Sequence, residues 1–165
     1  MAAANLIFSI ANVKIGTKET GTYGTDLGVT KGGGTLTQDI TSVEIRSDQK
    51  SDPEAIIATQ APKTLTLNLL DASPDNLALA FGGSAAGSVV TIPALVEGIE
   101  KGIKITTRTV NKVYYEIEIP RALVKGNSTI TFGSDDASTI PLDVAILKPS
   151  SDTYKPVTIK KITVA

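Results

Sequence analysis

The sequence predicts a mainly β protein, a β-sandwich or barrel of about eight strands with one flanking α-helix. Three observations support this fold class. Many short segments alternate polar and apolar residues with turn residues between them. A single segment carries the start and stop signals of a helix. The chain has 165 residues, of which 41% are hydrophobic and 20% are charged, so we expect residues 1–165 to form one domain with a substantial core.

The first third of the chain is predicted to alternate between strands and glycine-rich or irregular connections. Residues 6–15 form a strand in which the apolar positions change phase, and this indicates a β-bulge near Ala11 and Asn12. Residues 16–34 hold seven glycines and are expected to form a flexible loop, with a short extended piece at residues 26–30. Residues 36–46 form the next strand, and its phase change indicates a bulge near Thr41 and Ser42.

A long inter-strand loop is predicted at residues 47–60. It contains the helix- and strand-breaking pair Asp52 and Pro53, followed by the small apolar residues Ala55, Ile56, Ile57 and Ala58. Connections of this length are usually functional. We therefore expect the apolar cluster to pack either on its own domain or on a neighbouring molecule.

The clearest local structure follows this loop. Residues 64–69 alternate with period two, which places Leu65, Leu67 and Leu69 toward a core. A helix is predicted at residues 73–81, because Ser73 is a good N-cap, Pro74 suits the first helical position and two glycines follow the last apolar residue.

The second half of the chain is predicted to be a series of strands. A short strand at residues 89–92 precedes a hairpin that turns at residues 110–112, in a register that sets Lys104 opposite Glu118 and Thr106 opposite Glu116. Pro120 and Arg121 are expected to end the returning strand. Further strands are predicted at residues 128–132, 139–148 and 157–164.

Composition excludes several function classes. The chain has no cysteine and no histidine, so disulfides, zinc sites of the usual ligands and His-based triads are ruled out. A net charge of −1 gives no basic patch for nucleic acid or anionic lipid. The N-terminal residues lack a signal peptide pattern, so we expect synthesis in a cytoplasm without export.

Two acidic pairs are candidates for chemical sites. Asp135 and Asp136 lack the spacing of a calcium loop, so a solvated turn is favoured. Glu116 and Glu118 could form a glycosidase-like pair, but such sites need aromatic walls and only 4% of the residues are aromatic. We therefore expect no catalytic residues, no cofactor and no metal.

With these elements in place, residues 43–83 resemble the major tail tube proteins of siphovirus-type, long-tailed bacteriophages. The residues that carry the resemblance lie in four places, namely Val43-Glu44-Ile45 with Asp48-Gln49, the loop at Pro53, the strand at residues 64–70, and the run from Asp71 through Asn76-Leu77 to Gly82-Gly83. More loosely, Ile119-Pro120-Arg121-Ala122 and Ile140-Pro141-Leu142 are similar to the late strands of that family.

The resemblance implies a structural virion protein that self-assembles into stacked hexameric rings. The rings would form the hollow tail tube through which the phage genome is delivered, with no enzymatic activity. Its implied partners are further copies of itself, the tail terminator, tape measure and tail tip proteins, and DNA that passes without specific binding. It implies assembly in the bacterial host cytoplasm, a place in the virion tail and no membrane insertion.

Two groups of residues are then candidates for function. Polar residues of the long strands would face the lumen, and these are Thr37, Asp39, Thr64, Thr66 and Asn68. Residues of the long loop would contact an adjacent subunit or ring, and these are Asp48, Gln49, Pro53, Ile56 and Ile57. Two alternatives stay open at this point: an adhesion or decoration module on a virion or cell surface, and the inner tube protein of a contractile injection machine.

Overall fold

The computed structural model describes residues 9–48, 52–133 and 136–165. Within these residues the chain forms twelve strands and one helix. In chain order they are β1 Ile10–Gly16, β2 Thr25–Asp26, β3 Thr30–Gln38, β4 Thr41–Ile45, β5 Ala55–Gln60, β6 Lys63–Leu69, α1 Pro74–Phe81, β7 Ser84–Ala86, β8 Val89–Thr91, β9 Ile99–Thr107, β10 Val113–Val124, β11 Ile140–Ile146 and β12 Thr158–Thr163.

Eight of the strands form one antiparallel sheet that folds over on itself. Its order is β2-β1-β9-β10-β11-β6-β3, and β12 also pairs with β10. The first half of β10 pairs with β12 and its second half pairs with β11. The long strand β10 therefore belongs to both layers of the resulting sandwich, as expected for the predicted fold class.

The core lies between the two layers. One layer contributes Val13, Ile103, Ile105 and Ile119, and the other contributes the inward positions of β6 and β11. Those inward positions are fully or almost fully buried: Leu65, Leu67, Leu69, Ile140, Leu142 and Val144. The period-two alternation of β6 is thus confirmed, because each predicted core leucine is inside.

The helix α1 has the predicted boundaries and caps. The Ser73 hydroxyl accepts a hydrogen bond from the Asn76 amide at 3.4 Å, and Pro74 occupies the first turn. Gly82 ends the helix with φ 64°, a left-handed conformation that favours glycine. Leu79 and Ala80 pack into the core, so the helix closes one side of the sandwich.

Both predicted bulges and the predicted hairpin register are confirmed. The β1–β9 register shifts between Ile10 and Asn12, and the β4–β5 register shifts between Thr41 and Ser42. Glu118 pairs with Lys104 and Glu116 pairs with Thr106. Asn111 and Lys112 both have positive φ, the conformation that a tight hairpin turn between twisted strands requires.

The glycine-rich segment 16–34 is not a loop throughout. Thr25–Asp26 pairs with β1, and β3 begins at Thr30. Gly34 lies against β6 so closely that a Cβ atom there would stand 2.9 Å from the Thr66 carbonyl oxygen. Glycine in this strand therefore reflects a close backbone approach rather than a turn.

The structure differs from the prediction in two neighbouring segments. These are the predicted strand at residues 36–46 and the predicted loop at residues 47–60. The strand is two strands, because β3 ends at Gln38 and β4 belongs to a separate two-stranded sheet. The second half of the loop is strand β5, which pairs with β4. The small strand β7 pairs with β8 in a second two-stranded sheet.

Two predictions in the second half of the chain were wrong. Pro120 does not end β10, because the strand continues to Val124 through a register shift between Ile119 and Ala122, and a bulge tolerates the missing N–H of proline. Residues 128–132 form no strand, although Ile130 packs against the core. Phe132 is 92% exposed, so alternation alone was misleading there.

Candidate assembly and lumen surfaces

A two-stranded arm extends beyond the sandwich at residues 41–60. It consists of β4 and β5, and it continues the β3–β6 pair through a hydrogen bond from the Asp39 amide to the Pro62 carbonyl at 3.0 Å. All eleven residues of its two strands are exposed. A hairpin of two strands without a core is only marginally stable in water, so this arm is expected to be stabilised by contact with another surface.

The two faces of the arm differ in chemistry. Cross-strand partners point to the same face, so the pairs Val43–Ile57 and Ile45–Ala55 form one wholly apolar face. We call this set the apolar face of the arm. The side chains of Val43, Ile45 and Ile57 are between 46% and 53% exposed. Exposed apolar side chains that are grouped in this way are typical of an interaction surface.

The opposite face of the arm is mixed. It carries Glu44 across from Ile56 and Ser42 across from Ala58. The Arg46 Nη2 atom lies 2.5 Å from the Glu44 Oε2 atom. The charged side chains of Glu44 and Arg46 keep this face compatible with water. The apolar face carries no such group, so it is the part of the arm that favours burial against another surface.

The residues predicted to form the subunit contact are placed as follows. Asp48 and Pro53 are exposed and flank the turn of the arm, while Gln49 lies outside the described residues. Ile56 and Ile57 do not act together, because neighbours in a strand point to opposite faces. Only Ile57 lies on the apolar face.

Sequence reasoning missed two residues of the apolar face, Val43 and Ile45. They had been placed in the strand at residues 36–46 rather than in the arm. A signal was present: Val43-x-Ile45 and Ala55-x-Ile57 are period-two segments on either side of a run rich in Ser, Asp and Pro. That arrangement is typical of a hairpin with a long connection.

The second candidate surface is a row of threonines on the outer side of β3 and β6. Thr37 pairs with Thr64 and Thr35 pairs with Thr66. Asn68 follows on the same side of β6. We call these five residues the threonine face. Four of the predicted lumen residues are therefore neighbours, and the fifth, the exposed Asp39, follows the end of β3.

Charges beside the threonine face are paired. Asp143 in β11 pairs with Thr66 in β6. The Asp143 Oδ2 atom lies 3.2 Å from the Lys125 Nζ atom. Further along the same sheet, the Arg121 Nη2 atom lies 2.9 Å from the Glu100 Oε1 atom, and Lys18 contacts the same carboxylate. The hydrogen bonds from Arg121 and Lys18 lower the pKa of Glu100 to about 2. The surface therefore carries no cluster of unpaired positive charge among the described residues.

In the described part of the chain, no group of three or more acidic, histidine or cysteine side chains is placed to hold a metal ion. Asp135, one of the two aspartates considered for a cation, lies outside the described residues. No helix in residues 9–48, 52–133 or 136–165 is long and apolar enough to span a bilayer.

The chain was compared with known proteins at the level of family and of individual sequence. A family model described as phage tail tube protein matches residues 9–158. This range includes the arm, the threonine face and almost the whole sandwich. No curated protein matches the chain.

Proposed function

The chain belongs to the phage tail tube protein family, and we propose that its copies assemble into stacked hexameric rings that form a hollow tail tube for delivery of the phage genome. Family membership supports a structural role as a component of the virion tail. The ring symmetry, the stacking and the passage of DNA belong to the proposal. We propose the same partners that the resemblance implies: the tail terminator, tape measure and tail tip proteins, with assembly in the host cytoplasm.

The observation that carries this proposal is the exposed arm. A subunit that remained a monomer would keep Val43, Ile45 and Ile57 about half exposed in water. Covering these side chains contributes on the order of 1 kcal/mol each, and this gain is repeated at every subunit. Self-assembly gives the arm the contact that its own sandwich does not provide.

The threonine face supports the lumen assignment. DNA that must slide needs a surface without clustered Lys and Arg, since each neutralised phosphate strengthens retention. Hydroxyl and amide groups on Thr37, Thr64, Thr66 and Asn68 offer hydration without fixed charge. Lys125, which lies on this side of the sheet, is paired with Asp143. Passage without specific binding is the behaviour expected of such a wall.

Negative-stain microscopy of the purified chain at increasing concentration tests the proposal. We expect stacked rings or tubes with a central channel, and end views that show six-fold symmetry. Dispersed monomers at all concentrations would contradict self-assembly and favour an adhesion or decoration module. Tubes with another symmetry would contradict the hexamer while leaving the tube role intact.

A further inference from the structure

We propose that the arm of one copy docks with its apolar face in a groove on a second copy, beside the root of that copy's own arm. The docking rests on the proposed assembly of the chain with itself, and it adds the surface on which the arm is received. The groove lies between the ends of β3 and β6 on one side and β12 on the other. Arm and groove are different surfaces, so every copy carries one of each.

The groove is a cleft of about 240 Å³ with apolar side chains on both walls. Leu36, Thr37, Gln38 and Lys63 line one wall, and Val157 and Ile159 line the other. Leu36 is 38% exposed and Ile159 is 54% exposed. These side chains face an opening in the sandwich, so an apolar insert would complete the packing between the two layers.

Within the described residues, no strand of the same chain closes this opening. The edge strand β3 pairs only with β6, and β12 pairs only with β10. Unpaired strand edges are available to other chains. Lys160 and Lys161 in the middle of β12 disfavour pairing of two β12 edges, because their like charges would meet. A segment with acidic side chains would not meet this repulsion at the edge of β12.

Charge supports the arm as that acidic segment. Residues 41–60 contain four acidic and two basic side chains, a formal charge of −2. Residues 148–165, which include β12, contain four lysines and one aspartate, a formal charge of +3. Lys160 is partly neutralised by Glu118 at 2.9 Å. Lys63 lines the groove, and the exposed Lys155 lies two residues before the groove residue Val157 in the chain. Complementary charge of this kind steers association and fixes orientation.

The pairing of two different surfaces has a geometric consequence. An arm that inserts into the next copy leaves one free arm and one free groove at the ends of any open assembly. Such a heterologous contact produces a closed ring if the rotation closes and an open filament if it does not. Both outcomes join more than two copies, whereas an arm-to-arm contact would stop at a dimer.

Disulfide cross-linking can test the docking, because the natural chain has no cysteine. Ala55→Cys places a thiol on the apolar face of the arm, and Gln38→Cys places one at the groove. The two purified full-length variants, one with a tag that changes its mass, are mixed and oxidised. Phe132→Cys is the matched control partner, since Phe132 is exposed beyond the opposite end of β11.

We expect the Ala55→Cys and Gln38→Cys mixture to give at least tenfold more cross-linked heterodimer than the mixture with Phe132→Cys. Equal yields with both partners would overturn the docking. Predominant Ala55→Cys homodimers would overturn it as well, because they would show that arms pair with arms. Circular dichroism of each variant verifies that the fold is retained.

Charge reversal gives a second test. Asp48→Lys with Asp52→Lys on the arm-bearing variant should lower the cross-linked yield about tenfold, and Lys63→Glu with Lys155→Glu on the groove-bearing variant should do the same. Combining the two reversed proteins should restore the yield. Cross-linked yields that stay the same after charge reversal would overturn the electrostatic pairing of arm and groove.

The microscopy of the unmodified chain keeps the two proposals separate. Tubes without the specific cross-link would contradict this docking surface and leave the tube assembly standing. A specific cross-link without tubes would support the docking and contradict the tube. Each result therefore bears on one proposal at a time.

Discussion

Asn76 shows how one side chain can connect separate parts of the fold. It lies in the first turn of α1 and is only 3% exposed. Its Nδ2 atom donates to the Leu27 carbonyl and to the Asp71 carbonyl, both at 3.0 Å. The amide therefore joins the helix to the segment after β2 and to the end of β6. The resemblance to tail tube proteins already included this Asn-Leu pair, and the structure supplies its physical reason.

Asn76→Ala is expected to destabilise the fold by about 1–3 kcal/mol, because two carbonyls would lose a buried donor. Urea unfolding of dispersed subunits, followed by circular dichroism, measures the change. Asn68→Ala is the control, since Asn68 is exposed on a strand and its loss should change stability by about 0.5 kcal/mol at most. Equal losses in the two variants would contradict the role of Asn76.

Glu100 gives the residue-scale prediction for pH. Its folded-state pKa of about 2 lies below the ordinary value of 4.5, because Arg121 and Lys18 donate hydrogen bonds to the ionised form. A lowered carboxyl pKa adds stability above about pH 4.5, and this stability is lost as the pH falls toward 2. As the pH falls between these limits, the natural chain should therefore lose stability more steeply than Glu100→Gln, which lacks this carboxylate.

The measurement is the unfolding midpoint in urea at pH 6, 4 and 3. The difference between the natural chain and Glu100→Gln should shrink as the pH falls. Glu97→Gln, at an exposed position three residues earlier, serves as the matched control. A pH-independent difference for Glu100→Gln would refute the assignment.

At the scale of the element, sequence reasoning succeeded where the signal was local. The strand β6 has uninterrupted alternation, and α1 has an N-cap, a first-turn proline and a terminal glycine, so both were predicted within about one residue. The separation of β3 and β4 into two strands could not be predicted. A bulge within one strand and the departure of the chain from the sheet produce the same change in the phase of the apolar residues. The course of β10 through Pro120 depends on the neighbouring loop, whose Glu19 amide donates to the Pro120 carbonyl at 2.9 Å.

The candidate surfaces were predicted to a similar extent. Alternation along β6 and β3 was sufficient to place Thr37, Thr64, Thr66 and Asn68 on one side. The arm was read as a loop, since Ile56 and Ile57 form an adjacent apolar pair that shows no period by itself. They lie on two faces because residues 55–60 form a strand, and this strand depends on pairing with β4, a relation between distant residues that propensity does not contain.

The arm therefore predicts a difference between two adjacent isoleucines. Ile57→Asp places a charge on the apolar face and should raise the concentration needed for assembly at least tenfold, which corresponds to about 1.4 kcal/mol or more. Ile56→Asp alters the mixed face and should change this concentration by less than about threefold. Sedimentation of assembled material across a concentration series measures both.

Since both residues are exposed, neither substitution should alter the unfolding of dispersed subunits. A larger effect of Ile56→Asp than of Ile57→Asp would contradict the assignment of the apolar face. Loss of assembly in both variants would indicate that both faces of the arm are covered.

At the scale of the whole molecule, the core and the arm should respond differently to assembly. The sandwich core is complete in one subunit, with β6 and β11 buried, whereas the arm has no buried residue in its strands. Amides of residues 41–60 should exchange hydrogen rapidly in dispersed subunits and at least tenfold more slowly after assembly. Mass spectrometry of the exchanged peptides measures this.

The peptides of β6 and β11 are the internal control, because their protection derives from the subunit itself and should change little. Equal protection of the arm before and after assembly would contradict its role as a contact. Slower hydrogen exchange after assembly in the core peptides alone would place the contact between subunits outside the arm.

The course of β10 has a mechanical consequence. Two layers held together only by side chains can slide past each other when a force acts along them. Here a single backbone runs from one layer into the other, paired with β9 on one side and with β12 and then β11 on the other. Tension on either layer is therefore transmitted through covalent bonds, and the layers can separate only if a ladder of backbone hydrogen bonds ruptures. A wall made of such subunits would resist stretching through its chain connectivity as well as through its packing.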